Sequence, residues 1–320
     1  MKAVPRRVVT VDGGTTNTRL VLWEDDRILA VKKLAAGASD TLRTGSAKTL
    51  ETAVRDGLAA MLSEIGLAAS DIAAVAASGM IGSELGLYAV PHLPLPAGPA
   101  KIVKACRTVL LPSVFPVPIT FIPGLKKAGE TYADTDLVRG EETEALGLAA
   151  RGLPDGGLLC LPGTHNKIIR VEKGGVITDF ATAMSGDVIR ALAEHTILAA
   201  SLTDGFTQTP DLSLVEEGYA LCDALGLTAS LFKLRVAHTA FHAEPTALYA
   251  RLVGMVLHED VRRAAAFAAA GEVLVAGSEP FRSSLTALLS RHSALRAVAV
   301  PDKTADLAAA FGAKVLLDAT

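Results

Sequence analysis

Apolar and β-branched side chains gather over residues 8–12 and stop at Gly13-Gly14-Thr15-Thr16, and a second apolar run follows over 18–23. Asp25-Asp26 marks a turn before a third run at 27–34, so the pattern predicts strand, turn, strand, turn, strand. From 47 to 65 the period changes. Leu50, Val54, Leu58, Met61, Leu62 and Ile65 fall three or four apart, which predicts an amphipathic helix. Residues 72–77 are continuously apolar and read as a buried strand entering the glycine-rich loop Ser78-Gly79-Met80-Ile81-Gly82-Ser83. Prolines crowd residues 91–124 and leave one predicted strand there, at 119–122, before a helix that starts near Glu141.

Gly152-Leu153-Pro154-Asp155-Gly156-Gly157 concentrates turn residues and is the predicted domain boundary. Beyond it the pattern predicts strands at 158–161, 167–171 and 176–180, the last two joined at Gly174-Gly175. Helical periodicity dominates from about 186 to 270. A buried strand follows at 272–276, then a helix from Phe281 and a last helix over 304–317.

The two halves repeat one arrangement. Residues 9–23 can be laid against 159–171 with a single gap, and both copies read strand, Gly-Thr turn, asparagine, basic residue, strand. Such self-similarity points to an internal duplication. The expected domains are therefore 1–154 and 155–320, with the last helix packing back on the first.

The chain has 320 residues, 50% of them hydrophobic, enough for two cores. Its 31 basic and 34 acidic side chains give a net charge of -3 and form no long run of one sign, which argues against nucleic acid or a membrane surface as partner. Mean hydropathy is +0.37, but alanine carries it, and charges or turn residues interrupt every apolar stretch before the ~20 residues that span a bilayer. Asp12 and the glycines after it also break the apolar run behind the basic N-terminus, so a signal peptide is not expected. Cys106, Cys160 and Cys222 have no metal-ligand spacing and are expected to be reduced, in a cytoplasmic protein.

The turn Asp12-Gly13-Gly14-Thr15-Thr16 has the chemistry of a phosphate site. Glycine lets backbone approach a ligand, successive N–H groups form an anion-binding concavity, and threonine hydroxyls add donors. Asp12, at the strand's end, could hold a magnesium ion through its water shell. A second copy at Pro162-Gly163-Thr164-His165 would let Gly163 and Thr164 grip the same triphosphate, against the bland reading of two ordinary β-turns. The strand ending at Gly277 and Ser278 offers a small-residue turn on which adenine and ribose could lie.

These stretches resemble the sugar kinase, chaperone ATPase and actin superfamily, and within it the 2-dehydro-3-deoxygalactonokinase family. The likeness rests on Asp12-Gly13-Gly14-Thr15-Thr16-Asn17, residues 79–83, Ile122-Pro123-Gly124-Leu125, Arg139-Gly140-Glu141-Glu142-Thr143, Leu161-Pro162-Gly163-Thr164-His165, Met184-Ser185-Gly186-Asp187 and Val275-Ala276-Gly277. The sequence departs from the family pattern at Gly13, Asn166 and Asp187. The resemblance implies an α/β fold of two duplicated actin-like ATPase (ribonuclease H-like) domains with an interdomain nucleotide cleft. It implies ATP with Mg2+, and transfer of the γ-phosphoryl group to the 6-hydroxyl of 2-dehydro-3-deoxy-D-galactonate, a step of galactonate catabolism. Glu141 is then the expected catalytic base with Glu142 as rival, Arg139 the ligand of the substrate carboxylate, and Lys167 a phosphate contact. Gly79 and Ser83 are expected to line the sugar pocket.

Each role has a plainer counterpart: first-turn glutamates also favour the helix dipole, Arg139 could be a surface arginine and Lys167 a solvated strand residue. A same-fold kinase of 2-dehydro-3-deoxygluconate or a hexose is the second reading, and a non-catalytic actin- or chaperone-like switch the third. The switch is disfavoured because neither a client-binding domain nor a helix-turn-helix is read in the chain. A homodimer stays open. No GxxxxGK[ST], HExxH or CxxC occurs, and the S-x-x-K at Ser230 to Lys233 lacks its companions and lies in a helical pattern.

Overall fold

In the computed structural model, which describes residues 5–268, 271–291 and 294–319, the N-terminal β-branched run is strand β1 (Arg7–Gly13). It pairs antiparallel with β2 (Thr18–Glu24), which pairs antiparallel with β3 (Arg27–Leu34). β1 and β2 are buried on both faces, while β3 exposes Arg27 and Val31 as an edge strand. Helix α1 (Ala38–Thr44) leads to α2 (Lys48–Glu64), which buries Leu50, Val54, Leu58, Met61 and Leu62 of the predicted stripe, while Ile65 caps its C-terminus and is exposed. β4 (Ala74–Gly79) then lies parallel to β1 on the side away from β2.

The proline-rich stretch holds more structure than one strand. It contains β5 (Leu93–Pro94), α3 (Pro99–Ala105), β6 (Arg107–Leu111) and β7 (Phe115–Phe121), followed by β8 (Leu125–Lys127) and β9 (Asp136–Val138). Pro116 and Pro118 are tolerated because β7 pairs with β4 only from Ile119 onward, where its N–H groups are needed. The six-stranded sheet runs β3-β2-β1-β4-β7-β6, and β5-β8-β9 form a small second sheet. Helix α4 (Glu141–Gly152) completes this part of the chain.

The second half builds β10 (Gly156–Leu161), β11 (Asn166–Glu172) and β12 (Val176–Ala183), then helices α5 (Ser185–His195), α6 (Ala199–Leu202), α7 (Leu212–Leu225), α8 (Leu227–Phe241) and α9 (Pro245–Phe267). β13 (Gly271–Val275), α10 (Phe281–Leu289), β14 (Leu295–Ala299) and α11 (Asp302–Ala305) follow. The five strands run β12-β11-β10-β13-β14, with β10 antiparallel to β11 and parallel to β13. This is the order of β3-β2-β1-β4-β7, so the duplication read in the sequence is present in the topology as two actin-like, ribonuclease H-like sheets.

Two units separate by contact. Of the described residues, one unit comprises 5–154, 173–178 and 307–319, and the other 155–172 and 179–306. The helix predicted over 304–317 is two helices, because α11 has no buried residue whereas α12 (Ala308–Asp318) buries Ala308, Ala309, Ala310, Ala313, Leu316 and Leu317. α12 lies against α4 closely enough that a Cβ on Gly312 would sit 1.8 Å from the Thr143 carbonyl oxygen. The end of the predicted helical stretch, 269–270, falls outside the described residues.

Candidate active site

The first turn is closed by its own backbone: Gly14 N–H donates to Asn17 O at 2.8 Å. The start of α1 folds over it, with Ala38 and Ser39 N–H donating to the carbonyls of Gly14 and Thr15. Thr15 and Thr16 stay exposed. In the β1–β4 ladder Asp12 sits level with Ser78 and Gly13 with Gly79. Gly79 has φ +82°, and a Cβ there would lie 2.6 Å from Gly13 O and 3.3 Å from Asp12 Oδ1, so only glycine lets the two strand ends meet.

Gly140, at φ +110°, brings the start of α4 to the same place: its Cβ position is 3.1 Å from Gly79 Cα. Four carboxylates therefore share the end of β1. Burial pushes Asp12 up to about 6, with Arg19, opposite it in β2, lowering and Glu141 raising it. Burial also pushes Glu142 up to about 8, with the Glu141 charge adding to the rise. Glu144 is raised well above the usual carboxylate range by burial and by Asp12, Glu141 and Glu142.

The two candidate bases differ in their surroundings. Glu142 is fully buried, with Oε2 accepting from Gly140 N–H at 2.7 Å and Oε1 engaged with Thr143 Oγ1 at 2.9 Å. Its raised pKa favours the protonated form, and its side chain does not reach the surface. Glu141 is half-buried at the first position of α4, oriented by the Arg139 N–H, which donates to its Oε2 at 2.9 Å.

Arg139 is neither a plain surface arginine nor an idle fork. Nη1 donates to Gly82 O at 2.6 Å and Nη2 to Val90 O at 2.8 Å, with His92 Nδ1 3.3 Å from Nη2. The guanidinium clasps both ends of the 82–90 loop, which leaves less of the fork for a bidentate carboxylate pair than the sequence suggests. His92 is held below its usual range by burial and by the Arg139 and Lys126 charges, and so remains neutral. Ser83 also serves the loop, donating Oγ to Met80 O at 2.7 Å.

In the second unit the turn is one residue longer, with Leu161 opposite Lys167 where the first hairpin ends Gly13 opposite Thr18. Gly163 donates its N–H to Asn166 Oδ1 at 2.9 Å, and Asn166 Nδ2 donates to Asp260 Oδ2 at 3.1 Å. Asp187 N–H donates to Thr164 O at 3.1 Å, while its carboxylate holds His165 Nε2 at 3.0 Å and Arg190 Nη2 at 2.6 Å. Lys167 is only 5% exposed, which excludes the solvated-strand reading. Gly277, at φ +104°, passes so close to the turn that a Cβ would meet Pro162 O at 2.3 Å.

Gly163, Thr164, Gly186 and Ser278 line a cavity of about 590 Å³ whose apolar walls include Phe206, Tyr249 and Phe281. Phe206 and Tyr249 meet edge to face, ring centroids 5.5 Å apart. An aromatic-walled cavity beside a glycine turn and the N-terminus of α5 suits a planar base joined to phosphates. The aromatic walls were invisible in the sequence, because no local pattern says that three rings far apart in the chain converge. Asp260 did carry a signal, a charge inside the apolar stripe of a long helix. Among the described residues no group of three or more His, Cys, Asp or Glu is arranged to hold a metal.

Over residues 12–315 the chain matches the family described as 2-keto-3-deoxy-galactonokinase. A protein of Rhizobium meliloti (strain 1021) assigned as a 2-dehydro-3-deoxygalactonokinase is 32% identical over 198 residues, covering 62% of this chain and 60% of that one. The match thus spans less than two thirds of that relative's length. The 2-dehydro-3-deoxygalactonokinase of Escherichia coli (strain K12) is 27% identical over 238 residues, 72% of this chain and 71% of the relative. A crystal structure from Sinorhizobium meliloti, assigned to the same activity, superposes with a TM-score of 0.77 at 26% identity over 98% of each chain. Component A of the Acidaminococcus fermentans (R)-2-hydroxyglutaryl-CoA dehydratase shares the fold, with a TM-score of 0.52 at 14% identity over 97% of this chain and 96% of that one.

Proposed function

Since the chain belongs to the 2-keto-3-deoxy-galactonokinase family, we propose that it transfers the γ-phosphoryl group of ATP to the 6-hydroxyl of 2-dehydro-3-deoxy-D-galactonate. The observation that carries this reading is the Gly163–Thr164 turn opening, with Ser278, into an aromatic-walled cavity of nucleotide size. Adenine lies among Phe206, Tyr249 and Phe281, with ribose by Ser278 and phosphates on the turn. On the first turn the Thr15 and Thr16 hydroxyls are the exposed donors, and Lys167 follows the second turn as a buried basic side chain.

Phosphoryl transfer needs positioning, charge neutralisation and a proton acceptor. Glu141 takes the proton of the 6-hydroxyl as that oxygen bonds to the γ-phosphorus and the bond to the β-phosphate oxygen breaks, leaving ADP. The Arg139 N–H orients the Glu141 carboxylate. The Arg139 guanidinium supplies a positive charge for the sugar carboxylate and shapes the 82–90 loop beneath it, beside neutral His92. Asp12 suits magnesium: it is a hard oxygen donor among like charges that a cation would relieve, and one carboxylate plus phosphate oxygens and water is an ordinary donor set for that ion. When bound, the ion supplies neutralisation of the triphosphate charge.

Among the described residues no helix is long and apolar enough to cross a membrane. The three cysteines are unpaired, and a cytoplasmic location is part of this proposal. A coupled ADP-release assay with ATP and magnesium against the galactonate, its gluconate epimer and neutral hexoses tests the whole. Preference for the galactonate is expected. Activity on hexoses alone would discard the substrate and keep the kinase, and release with none of them would discard the kinase reading.

A further inference from the structure

The two phosphate turns are held shut by different means. The first closes backbone to backbone, Gly14 N–H to Asn17 O. The second closes through a side chain, Gly163 N–H to Asn166 Oδ1, so its shape depends on what fixes Asn166. Asn166 is 3% exposed, and its amide nitrogen donates to Asp260.

Asp260 lies on α9 between Leu257 and Ala264, in the stripe that faces the core, and is 1% exposed. Its Oδ2 accepts from both Asn166 Nδ2 at 3.1 Å and Ser185 Oγ at 2.6 Å, while Oδ1 has no hydrogen-bond partner among the described residues. Ser185 is the first residue of α5, and two residues on Asp187 N–H donates to Thr164 O. One buried oxygen thus ties both ends of a small ring: through Asn166 to Gly163, and through Ser185 and α5 to Thr164. Gly186 completes the contact, since a Cβ there would sit 2.2 Å from Gly163 O.

A carboxylate buried with an unpartnered oxygen destabilises a core relative to an apolar side chain of similar size. Burial indeed pushes Asp260 up to about 6. Fold stability alone therefore gives no reason for an acid at this place. We propose that Asp260 is a positioning residue for nucleotide binding, which fixes the Gly163–Thr164 turn and the N-terminus of α5 as one preformed phosphate cradle. It touches no ligand and acts through Asn166 and Ser185. The inference rests on the reading of this turn as the ATP phosphate site.

The test compares ATP with adenosine, which shares the base pocket and lacks the phosphates, by calorimetric titration of the full chain. Asp260→Ala is expected to weaken ATP about tenfold or more, the worth of a hydrogen bond to a charged group, and to leave adenosine within about twofold. Asp260→Asn keeps an acceptor for Asn166 and Ser185 and is expected to hold ATP within about threefold of the wild type. Asn166→Ala should copy Asp260→Ala, and it decides the matter if Asp260→Ala does not fold. Equal weakening of ATP and adenosine, or ATP binding unchanged in both alanine variants, overturns the positioning role. Wild-type protein that binds adenosine and not ATP would overturn the phosphate-site reading and this inference with it.

Discussion

Replacing Glu142 by glutamine should make the protein more stable, and increasingly so as pH rises. Glu142 is fully buried and its carboxyl is raised from 4.5 to about 8. In the unfolded chain it ionises near its ordinary value, so folding at neutral pH requires it to take up a proton. A group raised on folding contributes its full stability below the unfolded value and loses it as pH climbs to the folded one. At 1.36 kcal/mol per unit, the cost is about 1 kcal/mol at pH 5, about 3 at pH 7 and about 4 at pH 8. Glutamine carries no proton to lose. Its oxygen can accept from Gly140 N–H and its amide can donate to Thr143 Oγ1, the two partners Glu142 already has.

The measurement is urea unfolding of wild type and Glu142→Gln at pH 5, 7 and 8. The single tryptophan, Trp23, is a buried residue of β2 and reports on this unit. Titrating groups outside the Asp12–Glu141–Glu144 cluster cancel in the difference between the two proteins, which should grow by about 3 kcal/mol from pH 5 to pH 8. A difference that stays flat, or a variant less stable throughout, would refute the assignment of Glu142 as a buried neutral acid. Turnover provides the companion test: Glu142→Gln should keep kcat within a few-fold, whereas Glu141→Gln should lower it by roughly 10²–10⁴ with little change in KM. If the pattern is reversed, Glu142 is the base.

Asp12→Ala should remove turnover while leaving the Trp23 unfolding transition in place; substantial residual activity would rule out its metal role. Arg139→Ala should raise KM for the sugar acid about tenfold or more and far less for a neutral sugar, and Arg139→Lys should not restore it, since one ammonium cannot hold the carbonyls of Gly82 and Val90 together. Equal rises for both sugars would sink the charge role. Gly79→Ala meets a positive φ and Gly13 O at 2.6 Å, so it should cost about 1–3 kcal/mol in unfolding and most of the activity; a stable, active variant would show that β1 and β4 can part at their ends.

Local pattern was enough for the strands of both sheets' central hairpins, because alternation and β-branched runs bounded by Gly-Thr turns leave little choice. It also exposed the duplication, since β1-β2 and β10-β11 are both antiparallel hairpins around a Gly-Thr turn. It failed over most of residues 91–124, where β6 and the start of β7 went unread and only the end of β7, at 119–122, was predicted. A proline vetoes a strand only where its missing N–H faces a partner, and that depends on where β4 ends its pairing.

The candidate site divides along the same line. Asp12, the glycine-threonine turns and the Arg-Gly-Glu-Glu-Thr segment are contiguous in the chain, so the types of chemistry were open to reading from their order alone. Which glutamate is buried, which carbonyls Arg139 clasps and which rings wall the cavity beside Ser278 were decided only by folding. Burial, and with it the proton affinity of Glu141's neighbour and of Asp260, is a property of everything packed around a residue. Sequence order determines what a side chain can do, while its tertiary surroundings determine whether it is charged, reachable and held in place.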